Sequence, residues 1–284
     1  MLPYFDQPVL VLGPMQLYAF GLVVGLAVVV GIELAVWRGR HAGIDASEVQ
    51  SFAIWVVGTG FVAAHLCDAL WYHPDEVLRT PEILIELTAG LSSFGGFLGA
   101  IVGALAWRLR AHRTVLPLVE NTLSVFPAAW AIGRLGCTLA HDHPGIHTSA
   151  GNWLAFAYPD GPRWDLGFLE MLFSIALAVV CALLWRKPRP LGTYIALTCL
   201  AYAPVRFALD FLRLPADAEG DARYGGLTPA QWASFVLLAV GLAGLWLIRD
   251  ERGRRKRAQV GGSDARCLES DRSHSTPRRR SSAA

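Results

Sequence analysis

The stretch ENTLSVFPAAWAIGRLGCTLAHDHPG, residues 120–145, is an apolar helical pattern with one arginine, Arg134, set well inside it. It opens into a polar His-Asp-His-Pro-Gly turn. A guanidinium keeps its charge in lipid, and placing one at the centre of a spanning helix costs at least about 2.5–3.5 kcal/mol. Such a group faces the interior of a bundle and meets an anion. The rest of the chain has to say which anion.

Of the 284 residues 54% are hydrophobic and 17% charged, against about 25% charged in soluble domains. Several apolar runs reach the roughly 20 residues needed to cross a bilayer. Seven spans follow, at 15–37, 51–71, 83–107, 116–140, 166–185, 191–212 and 229–248. The expected fold is all-α and polytopic, seven transmembrane helices over residues 1–257. MLPYFDQPVL at the N-terminus has no basic region before an apolar core, so it does not read as a cleaved signal. Four cysteines, Cys67, Cys137, Cys181 and Cys199, fall in or beside apolar segments and Cys267 in a polar stretch. No CxxC pair is present, so neither a disulfide framework nor a zinc site is indicated.

Basic residues alternate between the loops. Arg38, Arg40, Arg108, Arg110, Arg113, Arg186, Lys187, Arg189 and the run from Arg249 to Arg257 make fourteen on one side, against Arg79, Arg163, Arg213 and Arg223 on the other. The positive-inside rule puts the first set in the cytoplasm, hence the N-terminus outside and the C-terminus inside. Residues 258–284, rich in Ser, Arg and Gly, read as a disordered basic cytoplasmic tail. Trp153, Phe156 and Tyr158 in the longest external connection suit the membrane–water interface.

With that orientation, polar groups collect in the outer half of the bundle. Arg134 lies about 9 Å from the outer end of its span, at about 1.5 Å per residue, and Arg206 sits at a similar depth. Tyr18, His65, Asp68, Ser92, Ser93 and Glu170 come from four further spans. The inner half holds little beyond Glu33 and Glu120, and Glu120 is roughly 21 Å along the helix from Arg134, too far to be its partner. In RFALDFLR, residues 206–213, helical spacing puts Arg206, Asp210 and Arg213 on one face. For that helix alone an internal ion-pair ladder that neutralises Arg206 is an equal alternative. With Arg134, however, three cations face one anion, and that surplus suits a phosphate, whose oxygens accept the planar guanidinium fork. At that depth the phosphate belongs to a phospholipid headgroup. In SSFGGFLGAIVGALAW, residues 92–107, Gly99 and Gly103 read as helix packing, while Gly95 and Gly96 beside the serines are expected to let a ligand approach the backbone. His141, Asp142 and His143 lack a fourth ligand for metal and read as a turn. His65 fits a packing hydrogen bond as well as a proton carrier.

These residues together resemble the bacterial prolipoprotein diacylglyceryl transferase family. Its signature GR-x-G-N, followed by an acidic residue and glycine, is similar to Gly133-Arg134-Leu135-Gly136-Cys137 with Asp142 and Gly145. The family tyrosine of the first span corresponds to Tyr18 in QLYAFGLVVG, its HGG motif to Phe94-Gly95-Gly96, and its stretch before the fifth span to RWDLGFLE, ending at Glu170. R-x-x-x-E-x-x-R corresponds to Arg206, Asp210 and Arg213, and the late MGQ element to Thr228-Pro229-Ala230-Gln231. The resemblance implies transfer of the diacylglyceryl group of phosphatidylglycerol to the lipobox cysteine of a preprolipoprotein signal peptide. A thioether forms and glycerol phosphate leaves. It implies an inner-membrane protein working in the periplasmic half, with membrane lipid and that peptide as partners, no nucleic acid, and no metal or organic cofactor. Arg134, Arg206, Asp210, Tyr18 and Asp142 are then expected to be catalytic, and Gly95, Gly96, Cys137, Gly145, Glu170, Arg213 and His65 to line the substrate site. Two positions depart: the histidine that the family uses in proton transfer is Phe94, and its asparagine is Cys137. The residues also admit a relative that binds anionic phospholipid without transfer. An anion transporter is a third reading, against which the apolar inner half argues.

Overall fold

The computed structural model describes residues 1–13, 15–85, 90–215 and 223–274. It begins with β1 (Leu2–Pro3), β2 (Val9–Leu12) and β3 (Met15–Tyr18), then α1 (Ala19–His41) and α2 (Ala46–Cys67), which runs into a π-helical turn at Asp68–Tyr72. The short α3 (Pro74–Arg79) leads through a 3-10 turn, Pro81–Ile85, to α4 (Ser93–Ala111) and α5 (Leu116–Ala140). Strands β4 (Pro144–His147), β5 (Phe156–Tyr158) and β6 (Gly161–Asp165) precede α6 (Leu166–Leu184), α7 (Thr193–Leu209), a 3-10 turn at Asp210–Leu212, and α8 (Pro229–His274).

The molecule is mostly helical, and six segments are long and apolar enough to cross a membrane: Ala19–His41, Ala46–Trp71, Leu116–Ala140, Leu166–Leu184, Thr193–Leu212 and Pro229–Arg254. Their outward faces expose Leu22, Val29, Ile54, Phe61, Val179 and Trp246, as lipid-facing surfaces do. The third expected span is shorter than its apolar run. Its helix starts at Ser93 rather than 83, and residues 86–89 lie outside the described ones. Four glycines and two arginines dilute the hydropathy of α4. The all-α expectation needs a second correction. The chain also forms a four-stranded sheet in the order β1-β5-β6-β4 and a β2–β3 hairpin, with Leu2 paired to Phe156. Tyr18 therefore ends a strand and caps α1 instead of lying inside the helix. The α8 backbone is helical to His274, beyond residue 258 where composition sets the tail to begin, and 275–284 lie outside the described residues.

Polar caps fix the helix starts. The Asp45 side chain accepts from Ser47 N at α2, Ser92 from Gly95 N at α4, and Asp165 from Phe168 N at α6. Thr228 and Gln231 form a reciprocal capping box around Pro229 at the first turn of α8: Thr228 N donates to Gln231 Oε1 (3.0 Å) and Gln231 N to Thr228 Oγ1 (3.1 Å). Within α5, Pro127 has no N–H for the Leu123 carbonyl. The Thr198 hydroxyl of α7 donates to that carbonyl instead, at 3.1 Å. α5 thus sits centrally, packed on α1, α6 and α7, while α2 lies along α4. The apolar core where α1, α2, α4 and α5 meet centres on Phe52, Trp107, Leu118 and Val125. Nearby, Glu120 accepts from Tyr194 N (2.8 Å) and Ile195 N (3.0 Å) at the start of α7, which accounts for the inner carboxylate as a helix-end cap.

Candidate active site

At the other end of α5, Arg134 is 6% exposed and its guanidinium reaches three groups. Nη2 lies 3.1 Å from Glu170 Oε2 on α6, Nη1 donates to Cys137 Sγ at 3.5 Å, and Cζ lies over the Trp130 ring, 4.7 Å from its centroid. Glu170, 3% exposed, also accepts from Trp130 Nε1 at 2.8 Å and from the Tyr202 hydroxyl of α7. Two donors and a cation satisfy a carboxylate that would otherwise be costly to bury. Arg134 Nε is buried with no hydrogen-bond acceptor among the described residues.

Arg206, on α7, pairs with Asp210, which is fully buried and also accepts from the Thr228 hydroxyl at the α8 cap. The Arg206 charge acts on Glu170 and Tyr202, as does that of Arg134. Both arginines therefore act electrostatically on the Glu170 carboxylate, and Arg134 is in ion-pair contact with it. The expected surplus of cations is smaller than the sequence count, because Glu170 brings a second anion from α6. The single helical face drawn through Arg206, Asp210 and Arg213 also needs correcting. α7 ends at Leu209, and Arg213 is extended and bridged to Gly145. That bridge joins the α7 end to the turn after α5. Gly145 is needed there, since a Cβ would stand 2.8 Å from the Leu212 carbonyl oxygen.

Asp142 hydrogen-bonds His143, and one of its oxygens, a ring nitrogen of His143 and Cys137 Sγ lie within 4.8 Å of one another. These three could hold a metal by distance alone. Among the described residues no fourth ligand joins them, and the Arg134 cation touches the sulfur. His141 is different: its Nδ1 bonds Asp165 Oδ2 at 2.8 Å, the Tyr158 hydroxyl donates to the same oxygen at 2.9 Å, and Tyr4 stacks on its ring. Burial and the Asp165 carboxylate push the Tyr158 phenol well above its ordinary value.

Four expected site residues stand apart from this cluster in their contacts. Tyr18 is 51% exposed, with a 3.4 Å bond to Gln16. His65 bonds the Leu84 carbonyl at 3.1 Å, a packing contact. Gly95, expected to open the backbone to a ligand, instead brings α4 onto α2; its Cβ would lie 2.5 Å from the Ala63 carbonyl oxygen. Gly96 has more room, its nearest neighbour being Ala64 Cβ at 3.8 Å. The sequence reading overlooked Trp130, Tyr202 and Asp165. Trp130 precedes Arg134, and Tyr202 precedes Arg206, by four residues, so one turn of helix already placed each beside its arginine.

Apolar helices around a buried guanidinium–carboxylate cluster define a multi-pass membrane protein with a buried polar site. Across residues 7–247 the sequence matches the family model of prolipoprotein diacylglyceryl transferase, and the chain belongs to that family. Similar curated proteins include the phosphatidylglycerol–prolipoprotein diacylglyceryl transferases of Nitrosomonas europaea (28% identical over 264 residues, 90% of this chain and 94% of the relative) and Acinetobacter baumannii (26% over 252 residues, 86% and 93%). The protein of that name from Acinetobacter baylyi is 25% identical over 252 residues, covering 86% and 92%.

Proposed function

We propose that this chain transfers the diacylglyceryl group of phosphatidylglycerol to the lipobox cysteine thiol of preprolipoproteins, forming a thioether and releasing glycerol phosphate. The observation that carries the reading beyond family membership is the orphan Nε–H of Arg134, in a guanidinium whose other nitrogens are already held. A buried donor without an acceptor calls for one, and a phosphate oxygen entering between Arg134 and Arg206 supplies it. As the ester breaks, charge grows on the departing phosphate, and preorganised guanidinium groups stabilise it more than they do the bound lipid. Glu170, with Trp130 and Tyr202, sets the plane of Arg134; Asp210, with Thr228, sets Arg206.

The finer topology belongs to the same proposal. α4 counts as a seventh span, because Gly95, Gly99 and Gly103 hold it tightly along α2. The basic loops face the cytoplasm, residues 258–284 form a cytoplasmic tail beyond a domain of residues 1–257, and the site opens to the periplasmic half of a bacterial inner membrane. Phe94 in place of a proton-carrying histidine favours a second reading, lipid binding without transfer. Full-length protein in phosphatidylglycerol vesicles, given a lipobox peptide, separates the two. A peptide heavier by one diacylglyceryl group supports transfer; no product from protein that binds the lipid overturns it.

A further inference from the structure

We infer that His143, oriented by Asp142, is the base that takes the proton from the incoming lipobox thiol. The inference rests on the transferase reading. A thiol attacks as its thiolate, so a transferase needs a proton acceptor beside the phosphate site, and Phe94 cannot serve. Five histidines stand at or beyond the outer ends of the helices, and two of them, His73 and His147, face Asp68 at 3.6 Å and Asp160 at 3.8 Å instead of the Cys137–Arg134 pair. His65 bonds the Leu84 carbonyl. His141 has a side chain only 3% exposed and is enclosed by the rings of Tyr4, Phe5, Phe156 and Tyr158. His143 and Asp142, by contrast, have side chains 23% and 35% exposed, open to a peptide. They also lie within 4.8 Å of Cys137 Sγ, which is itself 3.5 Å from the Arg134 guanidinium. The dyad is therefore two contacts from the group that holds phosphate.

An ionised carboxylate only accepts hydrogen bonds, so the bond between Asp142 Oδ1 and His143 Nδ1 places the imidazole proton on Nδ1 and leaves Nε2 bare. The thiol passes its proton to Nε2. The sulfur attacks the glyceryl carbon that bears the phosphate ester; a C–S bond forms and the C–O bond breaks, its electron pair leaving with glycerol phosphate against Arg134 and Arg206. The imidazolium then returns the proton to water. Asp142 acts through His143, as a positioning residue.

The test compares two nucleophiles in phosphatidylglycerol vesicles: a lipobox peptide with its cysteine, and the same peptide with selenocysteine, whose selenol is ionised at neutral pH. With the thiol peptide, His143→Gln should lose activity about 10²-fold, the usual scale of general-base catalysis. With the selenol peptide most of that loss should disappear, as it should for Asp142→Asn. Equal losses with both peptides, or none, overturn the dyad while the wild-type activity leaves the transferase reading standing. A wild-type protein that binds the lipid but modifies neither peptide overturns both.

Discussion

Arg134 shows how one residue is made usable inside a membrane. Glu170 supplies its counter-charge, Trp130 offers a ring face and fixes that carboxylate through its indole N–H, and Cys137 accepts from the far nitrogen. The guanidinium is held in one plane before any ligand arrives, which is the condition for electrostatic stabilisation without reorganisation. Replacing Arg134 or Arg206 by alanine should lower transfer by at least about 10²-fold, measured on lipobox peptide in vesicles, with membrane insertion intact. Arg206→Lys should fail as well, since an ammonium does not reproduce the bidentate fork. Full activity in either alanine variant would remove the phosphate-holding role.

At the scale of elements, glycines of apparently one stripe do different work. A side chain at Gly99 would collide with the Thr59 carbonyl of α2, whose hydroxyl donates to the Gly99 carbonyl at 2.7 Å. Gly99→Val should therefore push α4 off α2 and cost about 1–3 kcal/mol, read as a lower melting temperature in detergent. Gly96→Ala has room and should melt with the wild type; lost activity at unchanged melting would mark Gly96 as a place where substrate passes close to the backbone. The strand layer behaves differently again. Asp165 caps α6 and holds both Tyr158 and His141, so it ties β5 and β6 to the helix ends. The raised Tyr158 value means the fold holds the neutral phenol. Its contribution is complete below the ordinary tyrosine value near about 10 and is lost as pH rises through the folded one. Alkaline unfolding followed by tyrosinate absorbance should accordingly show one late-titrating phenol fewer in Tyr158→Phe than in the wild type.

The whole molecule is built on α5, which packs against α1, α6 and α7. Orientation is tested at this scale: a fluorescent protein fused after α8 should fluoresce, and alkaline phosphatase fused at the same place should be inactive. The reverse pattern would place the Arg134 cluster in the wrong leaflet for an external lipid and peptide. Periodicity and hydropathy alone located six of the seven expected spans, and residues 116–140 coincide with α5. What the chain could not reveal by itself were contacts between distant segments: Leu2 beside Phe156, the Glu170 carboxylate of α6 against Arg134 of α5, and Gly145 bridged to Arg213 rather than Arg213 continuing the α7 face. Spacing along a helix is set by local backbone geometry, which every residue carries with it. Which side chains meet across helices depends on how those helices rotate and pack, and only the tertiary structure decides that.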